Sequence, residues 1–263
     1  MEYRTLEVVR EGALAWLTLA RPEALNALDS RMVDELHDFF SGLAADRETR
    51  VVVIRGAGRA FCAGLDLKEP RATGGGVPEG LRMQRRISEL PMRMRRLPQV
   101  FIACVHGAAC GGGFALALAS DVRLAGDSAR MNAAFIRIGL SACDIGVSYF
   151  LPRLIGASVA SELLLTGRFI AAERALAVGL VSAVVPDDQL EAEARTLAGE
   201  MLATTPLGLR LTKECLAASI DAGSLEQVIA MEDRNQILCA QSQDFGEGVA
   251  AFLGKRAPRY ADR

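Results

Sequence analysis

Two short segments carry backbone chemistry rather than side-chain chemistry. The first is Phe61-Cys62-Ala63-Gly64-Leu65-Asp66-Leu67-Lys68, behind the β-branched run Val51-Val52-Val53-Ile54. The second is Gly107-Ala108-Ala109-Cys110-Gly111-Gly112-Gly113, behind the apolar run Val100–Val105 and ahead of a helical pattern. Small residues leave main-chain N–H groups uncovered, and glycine lets a ligand approach the backbone closely. N–H groups at a helix start also carry partial positive charge. Either turn alone is equally well read as a tight connection. Together, each behind a buried strand, they can supply the two donors of an oxyanion hole. One such donor is worth roughly 3–4 kcal/mol in a transition state.

Other signatures are missing. The chain has no GxSxG, no GxxxxGK[ST], no HExxH and no complete GxGxxG. Gly56-Ala57-Gly58 follows a strand but lacks the third glycine of a dinucleotide site. The cysteines are Cys62, Cys104, Cys110, Cys143, Cys215 and Cys239; none forms a CxxC pair, and the histidines are His37 and His106. Zinc spacing is absent, so no metal is expected. Four of the six thiols fall in apolar or glycine-rich stretches, which suits reduced, buried cysteines and a cytoplasmic setting.

The elements that must position the two turns follow from hydrophobic spacing. Leu6–Arg10 and Ala13–Leu19 read as a hairpin around Glu11-Gly12. Ser30–Leu43 has apolar residues at helical spacing, with Asp29 or Ser30 as N-cap. Val51–Ile54 and Val100–Val105 are buried strands. Arg71–Gly80, with Gly74-Gly75-Gly76 and Pro78, reads as a mobile loop. The stretch from Leu81 to Leu97 carries Arg82, Arg85, Arg86, Arg93, Arg95 and Arg96; it is a solvated helix face, or some of these arginines meet a phosphate-bearing ligand. The last third is nearly all helix: 158–165, 171–178, 190–202, 207–220, 225–238 and 245–253, with one strand at Val181–Val185. Strands separated by helices indicate an α/β architecture. Helices so rich in Ala and Leu must bury a face, and a partner subunit is one place for it.

Composition narrows the function classes. The chain has 263 residues, 51% hydrophobic and 24% charged, with 30 basic against 32 acidic residues. That is an ordinary globular composition, and the near-neutral charge gives no pull toward nucleic acid or anionic membrane. From Leu97 to Ser120 no residue is formally charged, long enough to span a bilayer. Pro98, Gly107 and the three glycines at 111–113 break it into a strand, a turn and a buried helix instead. The start, Met1-Glu2-Tyr3-Arg4, is charged and leads into no apolar signal core.

The chain resembles the crotonase (enoyl-CoA hydratase/isomerase) superfamily over nearly its whole length. The matching segments are Arg21–Leu28, Ala60–Glu69, Gly107–Gly113, Leu163–Arg168, Ala175–Pro186, Pro206–Glu214 and Ala251–Arg256; their number and order carry the resemblance. It implies an α/β fold: a ββα spiral that binds acyl-CoA over residues 1–199, then a helical trimerisation region over 200–263. It implies a trimer or a dimer of trimers. It also implies an acyl-CoA thioester ligand, with coenzyme A as part of the substrate and no permanently bound cofactor. By the same likeness the thioester oxygen accepts the N–H groups of Leu65 and Gly112. Ala24, Ala63, Asp66 and Leu67 line the nucleotide and pantetheine path, and Lys255 reaches the nucleotide part, of its own or a neighbouring subunit. The chemistry agrees, because reactions beside a thioester build charge on its oxygen, and fixed N–H dipoles stabilise that charge.

The departures are informative. Hydratases of this family carry two glutamates that position and activate water. Their columns fall here on Ala115 and Phe135, which have no titratable group. Two-carboxylate hydration therefore cannot run as in the family. Asp144, in Gly139–Tyr149, resembles the catalytic aspartate of dienoyl-CoA isomerases, and 4-chlorobenzoyl-CoA dehalogenases place a nucleophilic aspartate in the same column. The dehalogenase tryptophan and upstream histidine are missing, and so is the isomerases' second carboxylate, since Phe135 holds its column. Among Cys143, Ile145 and Val147, Asp144 is expected to be desolvated with a raised pKa, as a general base needs. It can equally cap a helix starting near Ile145. His106 reads as a hydrogen-bonded core residue, Tyr149 as packing, and Cys62 and Cys143 as small apolar fillers beside the pocket. The reading is double-bond isomerisation with Asp144 as acid/base. The alternative is a binding protein that kept the acyl-CoA site and lost catalysis.

Overall fold

The computed structural model describes residues 3–69 and 76–262. In chain order the elements are β1 (Leu6–Glu11), β2 (Leu14–Leu19), α1 (Ser30–Ala45), β3 (Val51–Gly56), α2 (Gly76–Arg96), β4 (Val100–Val105), β5 (Ala108–Cys110), α3 (Gly112–Ala119), β6 (Val122–Gly126) and β7 (Arg130–Asn132). There follow α4 (Val147–Ile155), α5 (Ala157–Thr166), β8 (Ile170–Ala171), α6 (Ala172–Ala177), β9 (Ala183–Val185), α7 (Leu190–Leu202), α8 (Pro206–Ser219), α9 (Leu225–Ala240) and α10 (Gln243–Leu253).

The main sheet has the order β1-β2-β3-β4-β6-β9, parallel except for the β1–β2 hairpin. Its strands β2, β3 and β4 are buried on both faces. Ala15, Leu17, Val52, Ile54, Phe101 and Ala103 pack on one side. Leu14, Trp16, Val51, Val53, Val100 and Ile102 pack on the other, under Leu190, Ala194 and Ala198 of α7. Two-sided burial is why these strands read as unbroken apolar runs rather than alternating ones. Helix α1 buries Met32, Val33, Leu36, Phe39, Phe40 and Leu43, and the Asp29 carboxylate caps it by accepting from Met32 N at 2.7 Å.

A second, smaller layer holds the two turns. β5 pairs with β7 in parallel, and β7 with β8 antiparallel. Bridges Cys62↔Ala109 and Leu28↔Leu65 extend this layer toward the start of the chain. Each successive long strand thus feeds a short paired segment, and then a helix after β3 and β4, which is the ββα spiral.

Several sequence expectations are corrected. Of the Arg71–Gly80 loop, residues 71–75 lie outside the described residues, and 76–80 are helical, the first turn of α2. Ala108–Cys110 is a strand and not simply part of a turn. The Val181–Val185 strand is shorter, Ala183–Val185. β6 carries Arg123, which is buried and donates to the carbonyls of Leu180, Leu118 and Ser120; burial lowers its pKa to about 10. That charge hides the strand from a reading based on apolar runs. The uncharged stretch 97–120 divides into β4, β5 and α3, and among the described residues no helix is long and apolar enough to cross a membrane.

Candidate functional site

The Gly64 turn is set by pairing on either side of Leu65. Leu28 N donates to Gly64 O at 2.7 Å and Asp66 N donates to Leu28 O at 3.0 Å. In this parallel register the N–H of Leu65 faces away from Leu28, and it donates to no described residue. Gly112 is the first residue of α3; its N–H lies outside the intrahelical ladder and likewise has no described acceptor. The two turns touch. A Cβ on Gly64 would lie 2.7 Å from Cys110 O and 3.3 Å from Gly112 N, and Gly64 sits at φ +94°. Glycine is required there for both reasons. A Cβ on Gly112 would lie 3.8 Å from Gly64 Cα, 3.6 Å from Ile145 Cδ1 and 2.8 Å from Leu28 Cδ1.

Other anticipated residues gather around this point. Ala63 N donates to Leu25 O at 2.9 Å, which sets Ala63 beside the Pro22–Ala24 turn. Leu65 and Asp66 line a cavity of about 370 Å³ with Leu28, Val33, Met83 and Ile87. Asp66 accepts from Arg21 at 2.9 Å and from Lys68 N at 3.0 Å. The Arg21 hydrogen bond, then the Lys68 amide, hold its carboxyl below the usual carboxylate range. Leu67 stands at the rim, 61% exposed. Lys255 is not brought to the site within the chain. It is exposed just after α10, at φ +48°, and lines neither this cavity nor the one beside Ile145.

Asp144 reaches the turns through its neighbour. Ile145 is a β-branched residue held at φ +37°, a strained conformation. That geometry aims the Ile145 N–H at Asp144 Oδ1, 2.8 Å away, while the side chain covers Gly112. Asp144 is half-buried, and desolvation pushes its pKa up against the two hydrogen bonds it accepts. The capping alternative is corrected: α4 starts at Val147, Gly146 is its N-cap, and no side chain caps it. Only the Asp144 carbonyl serves the helix region, accepting from Val147 N at 2.9 Å. Beyond Ile145 opens a second cavity of about 660 Å³, mostly apolar, lined by Pro91, Met92, Tyr149 and Phe150 among others.

The walls are otherwise apolar. Ala115 and Phe135 are buried, and the Phe135 ring lies 3.3 Å from where a Cβ on Gly111 would stand. His106 is half-buried, with its Nε2 bound to Gly58 O at 2.8 Å. Tyr149 is more than packing, since its hydroxyl donates to Asp221. Burial pushes the Cys62 thiol up to about 12, but Cys143 is exposed and fills no gap. Arg82, Arg86, Arg93, Arg95 and Arg96 pair with carboxylates of this chain. Sequence reasoning missed Gln84 of α2, whose Nε2 donates to Asp144 Oδ1 at 2.5 Å. It also missed Leu28, whose methyl group covers Gly112. Nothing in the sequence sets residues 84 and 144 face to face.

Comparison with known proteins shows the family and the fold. The enoyl-CoA hydratase/isomerase family model matches residues 9–263. A probable enoyl-CoA hydratase of Mycobacterium bovis is 40% identical over 259 residues, 95% of this chain and 90% of that protein. The 1,2-epoxyphenylacetyl-CoA isomerase of Escherichia coli K12 is 35% identical over 260 residues, 98% of each. The crystal structure of an enoyl-CoA hydratase from Bacillus anthracis superposes with a TM-score of 0.93 at 33% identity, covering 99% of this chain and all of that one.

Proposed function

The chain belongs to the enoyl-CoA hydratase/isomerase family of the crotonase superfamily, and from that premise we propose that it moves the double bond of an enoyl-CoA thioester with Asp144 as the acid/base. The observation that carries this reading is a half-buried aspartate of raised pKa next to Ile145, whose side chain covers Gly112. The amides of Leu65 and Gly112 hold the thioester oxygen. Enolate charge grows there as Asp144 removes a proton, and the two N–H dipoles stabilise it without reorganisation. Asp144 then returns the proton at another carbon. A carboxyl whose hold on a proton is strengthened by burial suits both halves of that exchange. Ala24, Ala63, Asp66 and Leu67 follow the coenzyme A path, and Lys255 serves the nucleotide part, across a subunit boundary. Coenzyme A enters only as part of the substrate.

Assembly belongs to the same reading. Residues 1–199 form the spiral core and 200–263 the trimerisation region of a trimer or a dimer of trimers. Leu216, Leu225, Ile237, Phe252 and Leu253 on α8–α10 are all at least 63% exposed in the single chain, an apolar surface that calls for a partner.

A second reading is favoured by Ala115 and Phe135, whose side chains cannot activate water: a protein that binds acyl-CoA without turning it over. Turnover on panels of 2-enoyl-, 3-enoyl- and dienoyl-CoA esters, with wild type and Asp144→Asn, separates the two. Isomerised product formed by wild type and lost in the variant supports the enzyme. Tight binding without turnover on every panel supports the binder.

A further inference from the structure

We infer that Gln84 is a positioning residue for Asp144, a neutral donor that fixes one carboxylate oxygen so that the other meets the substrate proton. The inference rests on the reading of Asp144 as the acid/base. Both described donors to the carboxylate converge on Oδ1: Gln84 Nε2 at 2.5 Å and Ile145 N at 2.8 Å. Oδ2 accepts from no described residue. Two bonds on one oxygen from different directions remove the rotation of the carboxyl group, which is what a base needs to hold a near-attack geometry.

The chemical type of the donor matters. Helix α2 carries arginine at 82, 85, 86, 93, 95 and 96, yet the residue facing Asp144 is an amide. An arginine there would pair with the carboxylate and hold it ionised; glutamine orients it and leaves it able to take a proton. The charged groups on the surrounding elements are paired elsewhere or exposed. On α2, Arg82 pairs with Glu79, Arg86 with Asp34, Arg95 with Asp121 and Arg96 with Glu89, while Arg85 is exposed. On α4, Tyr149 and Arg153 both bind Asp221, just beyond α8. Helix α3 has no titratable side chain, Arg137 of the Ala134–Ile138 turn lies against Gly167, and the adjacent Cys143 is exposed. Desolvation, the Ile145 amide and Gln84 therefore set the behaviour of this carboxyl. Gln84 is itself placed by α2, which buries Leu90 and Met94 in the core and ties to α1 through Arg86 and Asp34.

The test titrates the Asp144 carboxyl directly, by ¹³C NMR of full-length protein labelled at aspartate, with the resonance assigned by its loss in Asp144→Asn. Gln84→Leu removes the donor at similar length. Its expected result is an Asp144 midpoint about one pH unit higher than in wild type, because the lost bond favoured the ionised form. The acidic limb of kcat/KM on the preferred enoyl-CoA ester should move by the same amount. At the plateau, kcat falls about tenfold to a hundredfold with KM unchanged. Gln84→Glu keeps the shape and raises the midpoint further, and carries the test if the leucine variant does not fold. An unmoved midpoint in these variants overturns the inference, since a merely structural glutamine lowers activity without touching the titration. Failure of the underlying reading looks different: the midpoint responds to Gln84, but Asp144→Asn still turns over substrate.

Discussion

Asp66 and Asp144 border the same pair of amides, one beside Leu65 and the other through Ile145, yet their carboxyls sit in opposite settings. Asp66 is held below the usual carboxylate range by Arg21 and the Lys68 amide. Asp144 has no cation acting on it, and desolvation raises it. Two carboxyls pushed apart in this way divide the labour of a site. Asp66 stays ionised and braces the Gly64 turn against Arg21. Asp144 is the group that can exchange a proton. The amides between them are fixed by backbone pairing and depend little on side chains, so under the proposed function the acid beside them decides the reaction.

The sharpest way to break this comparison is to remove each carboxyl in turn. Asp144→Asn should lower kcat about a hundredfold to ten-thousandfold while leaving the affinity for the thioester unchanged, as read by steady-state kinetics beside binding calorimetry. Next in size is Gly64→Ala. Its Cβ would stand 2.7 Å from Cys110 O at a φ of +94°, so a stability loss of about 2–3 kcal/mol is expected in thermal melts, and activity should fall with it. Gly112→Ala should cost less in the same melts, because the atom in its way is the Leu28 methyl end, which can move. The smallest effect belongs to Asp66→Asn, about 1 kcal/mol in stability with turnover within a few fold of wild type.

The pH dependence of stability carries opposite signs for the two groups. Asp66 has a depressed folded pKa, so its contribution is present above the unfolded value of about 3.9 and is lost as pH falls below it. Asp144 has a raised folded pKa, so it costs stability as pH rises from about 3.9 through that raised value. Melts of the two asparagine variants between acid and neutral pH should therefore diverge from wild type in opposite directions. Asp144→Asn should melt no lower than wild type at neutral pH. Parallel curves would show that the two environments do not differ as described.

How much of this was legible in the sequence follows from the kind of contact involved. β2 to β4, α1 and α7 were readable because each buries a long face, and burial leaves a hydrophobic pattern, while β1 was readable from the Glu11-Gly12 turn it shares with β2. The turns at Gly64 and Gly112 were readable because close backbone approach demands glycine. Strands of two or three residues, β5, β7 and β8, are too short to show a period, and β6 was masked by the buried Arg123. In the site, the amides and the desolvation of Asp144 were within reach. The Gln84–Asp144 bond, 60 residues apart, was not, because nothing local to either residue encodes it. The left-handed Ile145 was equally hidden, since a β-branched residue is the last expected at positive φ.

Deuterium tracing tests the central claim most directly. Incubating wild type and Asp144→Asn with a 3-enoyl-CoA ester in heavy water, and reading label and double-bond position by mass spectrometry and NMR, reports the proton transfer itself. The account predicts that wild type shifts the double bond into conjugation and places label at the γ carbon, which receives the returned proton, and that the variant does neither. Label entering at the same rate in both proteins, or water added across the bond by wild type in place of a shift, would contradict it.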